Sequence, residues 1–176
     1  VTHNLGAVPE MMWIKMRNSS QNWAVYHKGA NGGTDPEDYG LELNSNSAEF
    51  NTATYFNDTA PTSSVFTVGT GNAVNKSSET YIGYLFATAA GVSKIGTYSG
   101  TGSSQNIDCG FTAGSSFVLI KRYDGTDSWY IADSVNGISS GQTDKILKLN
   151  STDAQFTESD NSADYIAPHA SGFNLP

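Results

Sequence analysis

Cysteine is all but missing: Cys109 is the only one among 176 residues, so no intrachain disulfide can form. A lone thiol in a strand-like context is expected to be a small buried apolar group. Basic residues are also scarce, with 9 Lys and Arg against 17 Asp and Glu and a net charge of −8. No basic stripe exists to displace counterions from phosphates, which excludes a nucleic-acid binder. An anionic membrane surface is excluded on the same ground. Long hydrophobic runs are absent as well. The longest candidate, residues 81–90, is interrupted by Gly83 and Thr88, whereas a membrane-spanning helix needs about 20 apolar residues in a row.

Charge of either sign is low, at 15% against roughly 25% for average soluble domains. Ser, Thr, Asn and 18 glycines take its place, giving a polar, uncharged surface of the kind found on β-rich extracellular or virion proteins. No signal peptide is recognisable and the chain opens on Val1. It is therefore expected to be processed or to be a piece of a longer polypeptide.

An internal repeat organises the rest. Ile14-Lys15 recurs as Ile120-Lys121, Trp23 as Trp129 and Asp38 as Asp144. Leu41-x-Leu43-Asn44-Ser45 recurs as Leu147-x-Leu149-Asn150-Ser151, and Ala48 and Phe50 as Ala154 and Phe156. All ten identities keep one offset of 106 residues across the 37 positions 14–50. After one inserted residue the match resumes, Pro61 with Pro168 and Phe66 with Phe173. Self-similarity at a fixed offset is the mark of a repeated unit. The expectation is two tandem divergent copies of one unit, residues 1–90 and 91–176.

The unit reads as strands. Residues 10–16 and 116–122 are apolar runs too short for helices, and polar turns separate them from the strands 23–27 and 129–133. Alternation puts Trp23 with Val25, and Trp129 with Ile131, on one face, which is expected to be the core face. Further strands are expected at residues 40–43, 64–68, 81–87, 93–98 and 105–111. Gly- and Ser-rich turns lie between them, and no stretch sustains a 3.6-residue period. The fold class is all-β, an antiparallel β-sandwich or jelly-roll-like arrangement. The first copy runs on through the strand near Tyr81, whereas Pro176 aligns with Gly69. The strands missing from the second copy are expected in flanking sequence or in a neighbouring subunit, because open strand edges are sticky.

Chemistry is harder to find. His3, His27 and His169 lie far apart with no zinc-ligand spacing. No Gly-x-Ser-x-Gly elbow is present, and residues 100–104 form a Gly/Ser turn with no following P-loop lysine. Glu42 and Glu49 are the best carboxylate pair for glycoside hydrolysis, but the second copy has Lys148 and Gln155 there. Asp35, Glu37 and Asp38 are weak calcium candidates in a Gly-rich loop, since calcium gathers several loop oxygens. No catalytic residue, cofactor or metal site is assigned. Tyr26 and Tyr130 are the speculative ligand-binding residues, each a stacking platform for a sugar ring; the plainer alternative is packing against a neighbouring strand or subunit. The sequons at Asn18, Asn57, Asn75 and Asn150 matter only in a host that glycosylates secreted proteins.

Several strings, taken in order, carry a resemblance. They are His3–Glu10 (HNLGAVPE), Asn22–Lys28 (NWAVYHK), Tyr55–Ser63 (YFNDTAPTS), Tyr81–Ala87 (YIGYLFA), Gly91–Gly100 (GVSKIGTYSG) and Cys109–Gly114 (CGFTAG). In this order they resemble a repeated β-rich domain of uncharacterised function in tail-fibre and other virion structural proteins of bacteriophages, mostly marine ones. The resemblance spans nearly the whole chain. It implies a non-enzymatic protein at the virion surface, part of a long multi-domain chain, that presents a surface for host attachment or virion assembly. Family members continue past the Gly-Phe near residue 173 into a final apolar strand, and this sequence stops short of it. The implied partners are other virion subunits, further copies of the chain and host cell-surface glycans, with no nucleic acid and no membrane insertion. A lectin-like glycan-binding module is the alternative, and a capsular polysaccharide-degrading enzyme is a more remote one.

Overall fold

The computed structural model describes residues 1–138, 144–157 and 165–176. The chain divides into two compact units, Val1–Thr88 with Arg122–Asp127, and Ala89–Lys121 with Ser128–Pro176. The fold is all-β and every strand pairing among the described residues is antiparallel. No helix among them is long and apolar enough to cross a membrane.

In the first unit the strands are β1 (Met11–Met16), β2 (Ala24–His27), β3 (Tyr39–Glu42), β4 (Phe50–Asn51) and β5 (Tyr81–Phe86). They form one sheet in the order β4-β3-β2-β1-β5. Two single-turn helices, α1 (Ala53–Phe56) and α2 (Asn72–Asn75), cover its inner face. The α1 turn starts where the Thr52 hydroxyl accepts the Thr54 N–H at 3.2 Å and stops at Asn57 in the left-handed region, φ 56°. The core gathers Met12 and Ile14 of β1, Ala24 and Tyr26 of β2, Tyr55 and Phe56 of α1, and Ala73 and Val74 of α2. Gly40 makes room for this packing, since a Cβ there would lie 2.7 Å from the Tyr55 ring.

The second unit has β6 (Gln105–Asp108), β7 (Phe117–Lys121), β8 (Trp129–Asp133), β9 (Lys145–Lys148), β10 (Phe156–Thr157), β11 (Ala167–His169) and β12 (Gly172–Leu175). They make two sheets, β10-β9-β8-β7 and β11-β12-β6. Val118, Ala132 and Ile146 from the first sheet and Phe173 from the second share one core, with Ile107 and Leu175 packed against it. Two sheets closing on one apolar layer is sandwich packing.

The registers of the two units coincide at the offset read from the sequence. Met11↔His27 through Ile14↔Ala24 in β1–β2 correspond to Phe117↔Asp133 through Ile120↔Tyr130 in β7–β8, each 106 residues on. Val25↔Leu41 likewise corresponds to Ile131↔Leu147, and Gly40↔Phe50 to Ile146↔Phe156.

Three expectations are corrected. Residues 93–98 form no strand beyond the bridge Ala89↔Ser93, and residues 64–68 only the bridge Thr2↔Val65. In both places the pairing is confined to one bridge, held by His3 N–H to Ser64 O at 2.9 Å and Phe66 N–H to Val1 O at 3.0 Å in one and by Ser93 N–H to Ala89 O at 3.0 Å in the other, which is shorter than a strand. The third concerns the sheet faces. Ala24 and Tyr26, not Trp23 and Val25, enter the first core, and Ala132 with Tyr130 does so in the second.

Candidate functional site

Because Tyr26 and Met12 point into the core, the opposite face of the first sheet carries Trp13 of β1 and Tyr84 and Phe86 of β5. The register sets Trp13 across from Tyr84, and Met11 across from Phe86. Trp23, one residue before β2, lies on this same face by alternation. The Trp13 ring is 4.8 Å from Phe86 and 6.4 Å from Tyr84, centroid to centroid. Trp23 lies 6.4 Å from Tyr84 with the planes 24° apart, a stacked pair. Contacts of this kind contribute about 0.5–1.5 kcal/mol each beyond area burial. Tyr84 keeps 43% of its surface open and Ile82 beside it 41%, so the aromatic strip is open at Tyr84, while Trp13, Trp23 and Phe86 are half-buried.

Polar groups edge the strip. The Lys15 ammonium donates to the Met16 carbonyl at 2.6 Å, which ties the charge to the turn after β1. Asn18 Oδ1 accepts the Thr80 N–H at 3.3 Å just before β5. The Trp13 Nε1–H is buried with no hydrogen-bond partner, an orphan donor that costs about 1–3 kcal/mol. Flat apolar rings set among hydrogen-bonding groups can stack on a sugar ring and hold its hydroxyls.

The tyrosines singled out from the sequence sit elsewhere. Tyr26 is only 4% exposed, with its ring edge-to-face on Phe56 at 5.5 Å. Burial pushes its phenol up to about 12, with Glu37 adding to the effect. Tyr130 packs against the second core. Tyr26 therefore offers no face to a ligand, whereas Tyr84 keeps one open. Alternation separated the two faces correctly, but the face of Trp23 and Val25 was expected to be the core face and the core is on the other.

The carboxylates have structural partners. Glu42 Oε1 accepts the Tyr55 hydroxyl at 2.9 Å, and Glu49 Oε2 accepts the Asn31 N–H at 2.8 Å. Desolvation raises the Glu49 carboxyl, opposed by the Asn31 bond and helped by Asp124. Asp35 stands in the left-handed region at φ 43°, ahead of a short 3-10 turn, Pro36–Asp38. Asp38 is raised by desolvation and by the neighbouring charges of Asp58, Asp35 and Glu37. Among the described residues no three His, Cys, Asp or Glu groups are placed to hold a metal ion.

His27 accepts the Gly29 N–H on Nδ1 at 3.0 Å. Burial lowers its pKa to about 4, with Lys28 adding to the effect and Glu10 opposing it. Beside it Lys28 Nζ pairs with Glu10 Oε1 at 2.8 Å. Burial alone would raise Glu10, but hydrogen bonds from Lys28 and Thr88 hold it below the usual carboxylate range. In the second unit Ser171 Oγ lies 3.3 Å from His169 Nδ1 and also bonds to Asp108. The serine thus stands between imidazole and carboxylate. A triad needs the carboxylate on the imidazole, so this group lacks that connectivity. Cys109 packs against the second core.

Neither the curated proteins nor the solved structures provide a match to this chain. A family model described as a domain of unknown function, DUF7483, matches residues 1–175, and the chain belongs to that family.

Proposed function

We propose that the chain is a non-enzymatic module of a bacteriophage virion, in a tail fibre or tail-associated protein, that binds glycans on the host cell through the aromatic strip of its first unit. One observation carries the binding half of this reading. Trp13, Trp23, Tyr84 and Phe86 form a connected cluster with Tyr84 left open. The virion setting is supported by the ordered strings that resemble phage tail-fibre domains. A surface low in charge, on a chain of net charge −8, suits neutral sugars better than phosphate-rich polymers.

The chain also reads as two divergent copies of one unit, supported by registers that agree residue for residue at the 106 offset. On that reading attachment belongs to the first copy. The second has Leu119 where the first has Trp13, and its Trp129 is buried.

A glycan array probed with the wild-type chain and with the Trp23→Ala/Tyr84→Ala double variant tests the proposal. Binding by the wild type that drops at least tenfold in the variant is the expected result. Equal binding by both, or none by the wild type on any host-derived polysaccharide, would defeat it.

A further inference from the structure

In the first unit β1 lies between β2 and β5, whereas in the second β7 ends its sheet, order β10-β9-β8-β7. The two strands hold the same position in the same register, so their burial can be compared directly. Met11 is 9% exposed and its counterpart Phe117 is 59% exposed. Ile14 is buried and its counterpart Ile120 only half-buried. The missing neighbour is also a matter of backbone chemistry. Ser134 N–H bonds to Ser116 O at 2.9 Å, and antiparallel alternation then directs Val118 and Ile120 to β8 and turns the amides of Phe117 and Leu119 outward. Among the described residues no hydrogen bond reaches those two amides from that side.

We infer that the β7 edge is a strand-acceptor site, and that its occupant is an antiparallel peptide strand of a different protein, with the side-chain pattern of β5. The first unit provides the template. There Leu85 stands opposite Met12 and packs on the core, Gly83 stands opposite Ile14, and Tyr84 opposite Trp13. Carried to β7, the added strand needs a large apolar residue opposite Val118, a glycine or similarly small residue opposite Ile120, and an aromatic opposite Leu119. Main-chain bonds supply the affinity of such strand addition, and alternate side chains supply its specificity. The edge has the features that natural sheets avoid when no partner is meant: apolar Phe117, Val118, Leu119 and Ile120 in a row, with no proline and no charge until Lys121.

The probe is a synthetic peptide of residues 80–87, flanked by lysines for solubility, added to the full chain and followed by amide hydrogen exchange. Saturable protection of the Phe117 and Leu119 amides, by at least tenfold, is expected. A scrambled peptide should give none, and a peptide N-methylated at its Tyr84, which removes the donor facing Leu119, should lose the effect. Protection that is absent, equal with the scrambled peptide, or confined to β5 or β10 would overturn the inference. So would self-association of the chain without peptide that Leu119→Pro abolishes, because the occupant would then be a second copy. Leu119→Pro removes an outward N–H and leaves the bonds to β8 in place. Loss of glycan binding in the Trp23→Ala/Tyr84→Ala variant leaves this pairing untouched, so the two proposals fail separately.

Discussion

Asn44 Oδ1 accepts the backbone N–H of Trp23 at 2.8 Å, across 21 positions of sequence. Asn150 does the same for Trp129 at 2.7 Å. In both units the preceding residue closes the loop, Leu43 N–H to Trp23 O at 3.2 Å and Leu149 N–H to Trp129 O at 2.9 Å. The asparagine extends the ladder one step beyond the strand and fixes where the tryptophan stands. Asn44→Ala and Asn150→Ala should each cost about 1 kcal/mol, the value of one such bond. Asn44→Asp, which keeps the acceptor and loses the Nδ2 bond to Asn22, should cost less. Urea midpoints at unchanged slope measure all three.

The two faces of the first sheet give a second prediction. Tyr26→Ala should cost about 3–5 kcal/mol by emptying the core, while Tyr84→Ala, which loses the contacts to Trp13 and Trp23, should cost about 1–3 kcal/mol. Thermal melts of the two variants check this; similar losses would mean that the sheet faces are assigned the wrong way round.

Close approach of backbone predicts the third. A Cβ on Gly69 would lie 2.5 Å from the carbonyl oxygens of both Ala53 and Thr54, whereas one on Gly100 would meet nothing within 4 Å. Gly69→Ala should therefore destabilise by about 1–3 kcal/mol or more, because backbone cannot step aside as a side chain can. Gly100→Ala should be neutral or should stabilise by up to about 1 kcal/mol through the unfolded chain. Chemical denaturation of the pair provides the comparison.

His27 sets a pH dependence. Its folded pKa lies near 4, lowered by burial, while an unfolded histidine titrates near 6.5. Between these values the unfolded chain binds the extra proton. Stability should thus rise with pH from about 4 to about 6.5 and level off above. His27→Gln should flatten that limb in a series of melts across the window; an unchanged slope would count against a buried neutral imidazole.

Strand positions were legible in the sequence wherever a segment was apolar and had a partner within reach. The 10–16 and 23–27 segments became β1 and β2, and the recurring Leu-Asn-Ser set fixed the 106 offset that the registers obey. The aromatic strip was not legible, for two physical reasons. Both faces of β2 are covered, with Val25 as deeply buried as Ala24, so a period of two cannot say which side is the core. The strip also joins Trp13 to Tyr84, 71 residues away, and only the β1–β5 pairing brings them together. Single-turn helices such as α1 leave no periodic signal, although Thr52 before it and Asn57 after it are ordinary cap residues.

The central claim is that the outer face of the first unit, and not the second unit, meets the glycan. The chain has three tryptophans, so its indole N–H region in a proton–nitrogen correlation spectrum holds three signals. Titration with the strongest glycan from the array should shift the Trp23 and Trp13 indole signals and leave that of buried Trp129 in place. A shift confined to Trp129, or three unmoved signals at saturating glycan, would contradict the account.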